Sequence, residues 1–206
     1  MQHFECGTLS IVMVFLGGTI LSDKTKLSVI LYLPANLIQP VAKVQDDLCK
    51  RLNNVTKKDQ DFHVTIAVAE GINKADVDEI VSKLRPMLAN VNLSVKVGPI
   101  DSLENRHKEG VLYLKAESDD LKKLYKQVRT LLESYGGKFF YPSFKGHITM
   151  CYLDAPVTAE QKKNLPKYES EISLSSNDVR ISTKESDDAE WVRIAWLKLS
   201  KRIIAF

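Results

Sequence analysis

Two short stretches constrain this chain more than anything else in it: Phe62-His63-Val64-Thr65-Ile66 and Gly146-His147-Ile148-Thr149-Met150. Each holds a histidine, an apolar residue, a threonine and another apolar residue. In an extended strand, side chains at i and i+2 share one face. His63 therefore stands beside Thr65, and His147 beside Thr149. Val64, Ile66 and Val68 should face a core on the other side, as should Ile148 and Met150. By the same alternation Tyr152 points away from His147, into the core. An imidazole exchanges protons near neutral pH, and a hydroxyl donates to an anionic oxygen. Two such pairs facing each other would make an acid, a base and a phosphate clamp.

The surroundings of the two motifs match as well. From Leu27, where a strand begins, to His63 is 36 residues, and from Val111, where another begins, to His147 is again 36. The first interval reads as a strand Leu27–Leu33 closed by Pro34, then a helix with Leu37, Val41, Val44, Leu48 and Leu52 at helical spacing and Pro40 in its first turns. The polar loop Lys57–Asp61 completes it. The second reads as a strand Val111–Lys115, then a helix Ser118–Tyr135 with Leu121, Leu124, Val128, Leu131 and Tyr135 on one side. Gly136-Gly137 ends that helix, and the aromatic run Phe139–Lys145 leads into the second motif. Matching order and spacing predict an α+β fold of two pseudosymmetric lobes, each an antiparallel sheet with outer helices, around a central cleft.

Between the copies, Glu70-Gly71-Ile72 is expected to turn and Asn73 to cap a helix striped by Val77, Ile80, Val81, Leu84 and Leu88. Pro86 should kink or shorten that helix. A strand Val91–Val97 follows, then a polar loop from Gly98 to Gly110 with a solvated His107. The tail carries strand-like pieces Glu171–Leu174, Val179–Thr183 and Trp191–Leu199, with Lys184–Glu190 as a hairpin loop. Trp191 and Trp196 are expected to pack the last strand.

Net charge is only +3, which permits a local basic groove but excludes a histone-like nucleic-acid binder. Cys6, Cys49 and Cys151 are odd in number and far apart, which suggests neither a disulfide framework nor a zinc site and fits a reducing cytoplasm. The apolar run Ser10–Leu16 stops at Gly17-Gly18, too short to cross a bilayer, and no lysine or arginine precedes it. Residues 1–26 thus read as a leader or an extra strand ahead of a bilobal domain, 27–206. No membrane segment and no obligatory protein partner is evident.

The stretches Phe62-His63-Val64-Thr65 and Phe144-Lys145-Gly146-His147-Ile148-Thr149 resemble the paired motifs of the 2H phosphoesterase superfamily, over roughly Leu27 to Leu153. The resemblance implies a phosphodiesterase acting on cyclic-phosphate RNA ends, 2′,5′-linked oligonucleotides or cyclic oligonucleotide messengers. The family frequently has proline before the second histidine. Gly146 stands there in this chain, which implies a freer loop.

The residues support that chemistry directly. Cleaving a phosphodiester needs a base for the attacking oxygen and an acid for the departing one, roles that His63 and His147 can divide. Thr65 and Thr149 would hold the equatorial oxygens, whose negative charge grows in the transition state. No cofactor is called for, and no dense carboxylate or cysteine cluster offers a metal site. Tyr141, Phe144 and Tyr32 are candidates to stack a nucleobase of a nucleotide or oligonucleotide substrate. Lys145 is a candidate phosphate contact. The rival reading is a non-catalytic nucleotide- or RNA-binding module on the same fold.

Overall fold

The computed structural model describes residues 23–105, 108–186 and 189–196. The apolar run Ser10–Leu16, His107 and the end of the last expected strand lie outside these residues. In chain order the elements are β1 (Lys24–Tyr32), α1 (Ala35–Arg51), β2 (Val55–Lys58), β3 (His63–Asn73), α2 (Val77–Leu88), β4 (Asn92–Glu104) and β5 (Gly110–Glu117). They continue with α3 (Asp119–Ser134), β6 (His147–Leu153), α4 (Ala159–Lys163), β7 (Ser170–Ser175), β8 (Val179–Lys184) and β9 (Val192–Trp196).

All described strands join one antiparallel sheet in the order β7-β4-β5-β6-β3-β1-β8-β9, with β2 pairing the upper part of β6. The order is two matching halves, β7-β4-β5-β6 and β3-β1-β8-β9, that meet at a seam between β6 and β3. A single residue pair, Val64 with Ile148, closes that seam. The expected two-lobed α+β architecture is what the chain adopts.

The helices are exchanged between the halves. α1 follows β1 in one half but packs on β6 in the other, and α3 follows β5 but packs on β3. Val41 and Leu48 bury the inner face of α1, while Gln45 donates to the Asp59 and Met150 carbonyls, at 2.6 Å each. The Met150 carbonyl also accepts from the Asp59 N–H at 3.0 Å, so Gln45 ties the helix to the place where β2 leaves β6. The same packing joins Cys49 to Cys151, far apart in sequence; both thiols are free. Burial, with Cys49 adding to it, pushes the Cys151 thiol up to about 12. On the opposite half, Leu121, Leu124, Val128 and Leu132 of α3 form the corresponding stripe, with the expected Leu131 and Tyr135 only partly buried beside it. Ser118 caps α3 by accepting from the Leu121 N–H. Pro86 sits inside α2, which still runs to Leu88.

Several expectations require correction, and three share a cause; separately, Lys57 and Lys58, expected in a loop, lie in β2 and pair with Tyr152 and Cys151. β3 and β6 each carry a β-bulge just past the His-x-Thr motif. Thr65 and Ala67 oppose consecutive residues of β1, and Thr149 and Cys151 oppose consecutive residues of β5, so Ile66 and Met150 are the extra residues. An extra residue reverses the alternation beyond it. Val68 therefore emerges 36% exposed on the histidine face, and Tyr152 lies half-buried on that face rather than in the core. Gly98 to Gly110 is not a loop: a third irregularity between Val97 and Ile100 absorbs Gly98-Pro99, and β4 continues to Glu104. Nor is Glu70-Gly71-Ile72 a turn. β3 runs through it to Asn73, with Gly71 at φ 79°, where glycine carries no steric penalty. The Asn73 side chain bonds Asp76 instead of capping a helix. Trp191 is 44% exposed, and the Lys184 ammonium lies 5.9 Å from its ring centroid.

Candidate active site

The seam brings the two motifs together. Val64 and Ile148 pair across it with both side chains fully buried, so the residues flanking each of them face the opposite side. In antiparallel register His63 then falls opposite Thr149, and Thr65 opposite His147. The imidazoles lie diagonally across the seam. His63, Thr65, His147 and Thr149 are all partly accessible on that face.

Each imidazole is held the same way. His63 Nδ1–H donates to the Asp61 carbonyl, and His147 Nδ1–H donates to the Lys145 carbonyl at 2.7 Å. A carbonyl can only accept, so the proton sits on Nδ1 and Nε2 is left for proton transfer. Burial pushes His147 below its ordinary value of 6.5, and charge on His63 adds to the push, against the Lys145 carbonyl. At neutral pH His147 is therefore kept neutral, with its Nε2 unprotonated. Because the unfolded chain binds this proton more readily, the contribution of His147 to stability is present above pH 6.5 and lost as pH falls through the lower folded value. Urea midpoints of the wild type should fall more steeply over that window than those of His147→Gln, which has no proton to take up.

Aromatic rings flank both histidines. Tyr32 on β1 lies 5.5 Å from His63, and Tyr113 on β5 lies 5.4 Å from His147, between ring centroids. Burial raises the Tyr113 phenol, and its neighbour Asp101 on β4 raises it further. Asp101 also pairs with the Lys115 ammonium at 3.1 Å. Beside Tyr32, the Arg180 guanidinium of β8 lies over the phenol ring at 3.7 Å. Sequence reasoning selected Tyr32 but missed Tyr113, Lys115, Asp101 and Arg180. The alternation in Val111-Leu112-Tyr113-Leu114-Lys115 already placed Tyr113 and Lys115 together on one face. Asp101 was hidden by reading β4 as ending at Val97.

The segment before His147 is fixed by packing. Phe144 stacks on Tyr125 of α3, with centroids 4.9 Å apart, so its ring is engaged by the helix. Arg129 donates to the Tyr125 hydroxyl at 2.6 Å and to the carbonyls of Tyr141 and Pro142 at 3.3 and 3.1 Å. The Tyr141 side chain is 63% exposed and meets Phe140 edge to face. Lys145 is exposed, and the structure engages its carbonyl, in the bond to His147. Gly146 is tightly placed. A Cβ there would fall 2.2 Å from the Ala116 carbonyl oxygen, while the Ala116 N–H donates to the Gly146 carbonyl at 2.9 Å. Close approach to β5 thus demands glycine, and the loop is pinned rather than free.

Among the described residues, no three or more His, Cys, Asp or Glu side chains are grouped to hold a metal ion, and no helix is long and apolar enough to cross a membrane. The arrangement presents two Nε2 atoms and two hydroxyls on one face of the seam.

The fold is similar to that of TT0787 of Thermus thermophilus, at 16% identity and a TM-score of 0.62, over 82% of this chain and 95% of that one. It is similar to Escherichia coli LigT complexed with NADP+, at 14% identity and a TM-score of 0.60, over 84% and 96%. The MHV ns2 PDE domain matches at 14% identity and a TM-score of 0.54, over 84% and 100%. These are 2H phosphoesterases, so the superfamily resemblance holds for the fold. No curated protein matches the sequence. Residues 31–189, well over half of the chain, match the family model described as anti-CBASS protein Acb1, and the chain belongs to that family.

Proposed function

We infer that this protein is a metal-independent phosphodiesterase that cleaves nucleotide phosphodiesters by paired-histidine acid–base catalysis. The observation that carries the reading is the seam: Val64 and Ile148 pair, and that pairing puts both histidines and both threonines on one face. His147, kept neutral by burial, suits the base that takes the proton from the attacking hydroxyl or water. The role of acid, returning a proton to the departing oxygen, then falls to His63. The Thr65 and Thr149 hydroxyls donate to the equatorial oxygens as their charge grows. Tyr32 and Tyr113 offer ring faces on either side for nucleobases.

Membership of the anti-CBASS family favours cyclic oligonucleotide messengers over cyclic-phosphate RNA ends and 2′,5′-linked oligonucleotides, and an immune-evasion role for their destruction. The test is a panel of these three substrate classes assayed in EDTA. Turnover should survive chelation and should be highest on a cyclic oligonucleotide. The pH profile should be bell-shaped, with its acid limb lying below pH 6.5 because the base is the depressed imidazole. Loss of turnover on chelation, restored by a divalent ion, would sink the mechanism.

A further inference from the structure

A lysine stands directly opposite the imidazole that must take up a proton. Lys115 on β5 pairs in register with His147 on β6, and Tyr113, two residues earlier on the same face, pairs with Thr149. An ammonium turned towards His147 would repel that proton, because like charges disfavour the charged form of a base. The structure turns it the other way. β5 lies between β4 and β6, and the partner of Lys115 is the Asp101 carboxylate of β4, 3.1 Å from its ammonium. Neighbouring strands lie about 4.8 Å apart, so the pairing draws the charge towards the strand one place further from the imidazole.

Asp101 is itself well anchored. The irregularity at Gly98-Pro99 carries β4 past Val97 and sets Asp101 opposite Tyr113. Its Oδ1 accepts from the Ser102 N–H at 2.8 Å, while Oδ2 faces Lys115. The Tyr113 phenol donates to the same carboxylate. Burial pushes the Asp101 carboxyl up, but the Ser102 N–H and the Lys115 ammonium outweigh it, with the charge of Lys162 on α4 adding to the pull, and hold it below its ordinary 3.8. The carboxylate is therefore charged throughout the range in which His147 titrates.

We propose that Asp101 is a positioning residue for the base: by holding the Lys115 ammonium on the β4 side of β5, it keeps that charge off His147. Its consequence for turnover rests on the phosphodiesterase reading, whereas the placement of the charge is read without substrate. The other groups that face His147 are the His63 imidazole across the seam and the Tyr113 ring from β5, 5.4 Å away between centroids. Of these neighbours only Lys115 carries a charge that Asp101 pairs, so loss of the carboxylate charge reaches His147 through Lys115.

The experiment titrates the His147 ring by NMR in substrate-free protein, with His147→Gln to assign its signal. It compares wild type, Asp101→Asn, Asp101→Glu and the double variant Asp101→Asn/Lys115→Met. Asparagine keeps the shape and an acceptor for the Ser102 N–H but not the charge. It should release the ammonium towards β6 and lower the His147 midpoint by about one unit, the lower end of what a charge at 4–6 Å does. Glutamate should hold the midpoint closer to wild type. The double variant has no ammonium to release and should restore it. On a substrate that wild type turns over, the acid limb of kcat should move down by the same unit in Asp101→Asn. Its kcat at neutral pH should fall by about 3–10-fold, because a weaker base drives proton transfer less. KM should change little, and limb and rate should both recover in the double variant. Asp101→Ser, which also lacks the charge, takes the place of asparagine if that protein proves unfolded by its thermal midpoint. If wild type turns over no substrate but the titrations follow this pattern, the positioning role stands and the catalytic reading falls. An unchanged midpoint in Asp101→Asn, a fall that persists in the double variant, or a change in KM with a wild-type acid limb would each overturn the proposal.

Discussion

His63→Ala and His147→Ala should each lower turnover by about 10²–10⁴, the usual worth of a general acid or base. Nucleotide affinity and the thermal midpoint should change little. Both rings are partly accessible, with the core side chains Val64 and Ile148 pointing the other way, so truncation opens no cavity in the core. Proton transfer belongs to the transition state, whereas affinity comes from stacking and phosphate contacts. The two variants should differ in one respect. With His147 gone the acid limb of the pH profile should disappear, because that limb reports the depressed imidazole. Thr65→Ala and Thr149→Ala should lower both rate and affinity, since their hydroxyls touch the phosphate in the ground state and in the transition state. A wild type that binds nucleotides tightly and cleaves none, with histidine variants that alter affinity alone, would establish the binding-module reading instead.

Gly146→Ala should be nearly as damaging to turnover as loss of a histidine, although it removes no chemical group. The added methyl would meet the Ala116 carbonyl oxygen at 2.2 Å, and that oxygen belongs to the backbone, which cannot yield cheaply. Overpacking of this kind costs about 1–3 kcal/mol. Relief requires the Gly146 carbonyl to leave the Ala116 N–H, and Lys145 and His147 move with it. The Lys145 carbonyl sets the His147 tautomer, and misplacing a catalytic group by about 1 Å can cost 10²-fold in rate. The check is a thermal midpoint beside kcat on one substrate. A midpoint lowered by several degrees together with a kcat lowered by about 10²-fold is expected. Wild-type kcat in a destabilised protein would show that the strand contact does not position His147.

Much of this site was legible because its signals are local and repeat. His63 and Thr65 share a face by strand alternation alone, and the equal intervals from Leu27 and Val111 announced the two halves. What escaped reading depends on partners far away in sequence. A bulge exists only relative to the strand opposite, so no count along β6 could place Tyr152 on the histidine face. Asp101 was lost because Gly98-Pro99 reads as a stop, yet the register with β5 carries the strand across it. Arg180 has an ordinary local sequence, and its place over Tyr32 follows from β8 pairing with β1 across roughly three-quarters of the chain. The exchange of α1 and α3 was likewise invisible, since an apolar stripe specifies that a helix packs and not on which sheet.

That exchange bears on how the molecule comes apart. Each half of the sheet depends on a helix whose preceding strand lies in the other half, so neither half can shed its neighbour and keep a covered core. Although a single residue pair joins the strands at the seam, the chain should melt as one cooperative unit, with coincident transitions by every probe. Its long-range connections also predict slow folding. A fragment ending between β4 and β5 should be unstructured alone and should regain order only when mixed with the remainder.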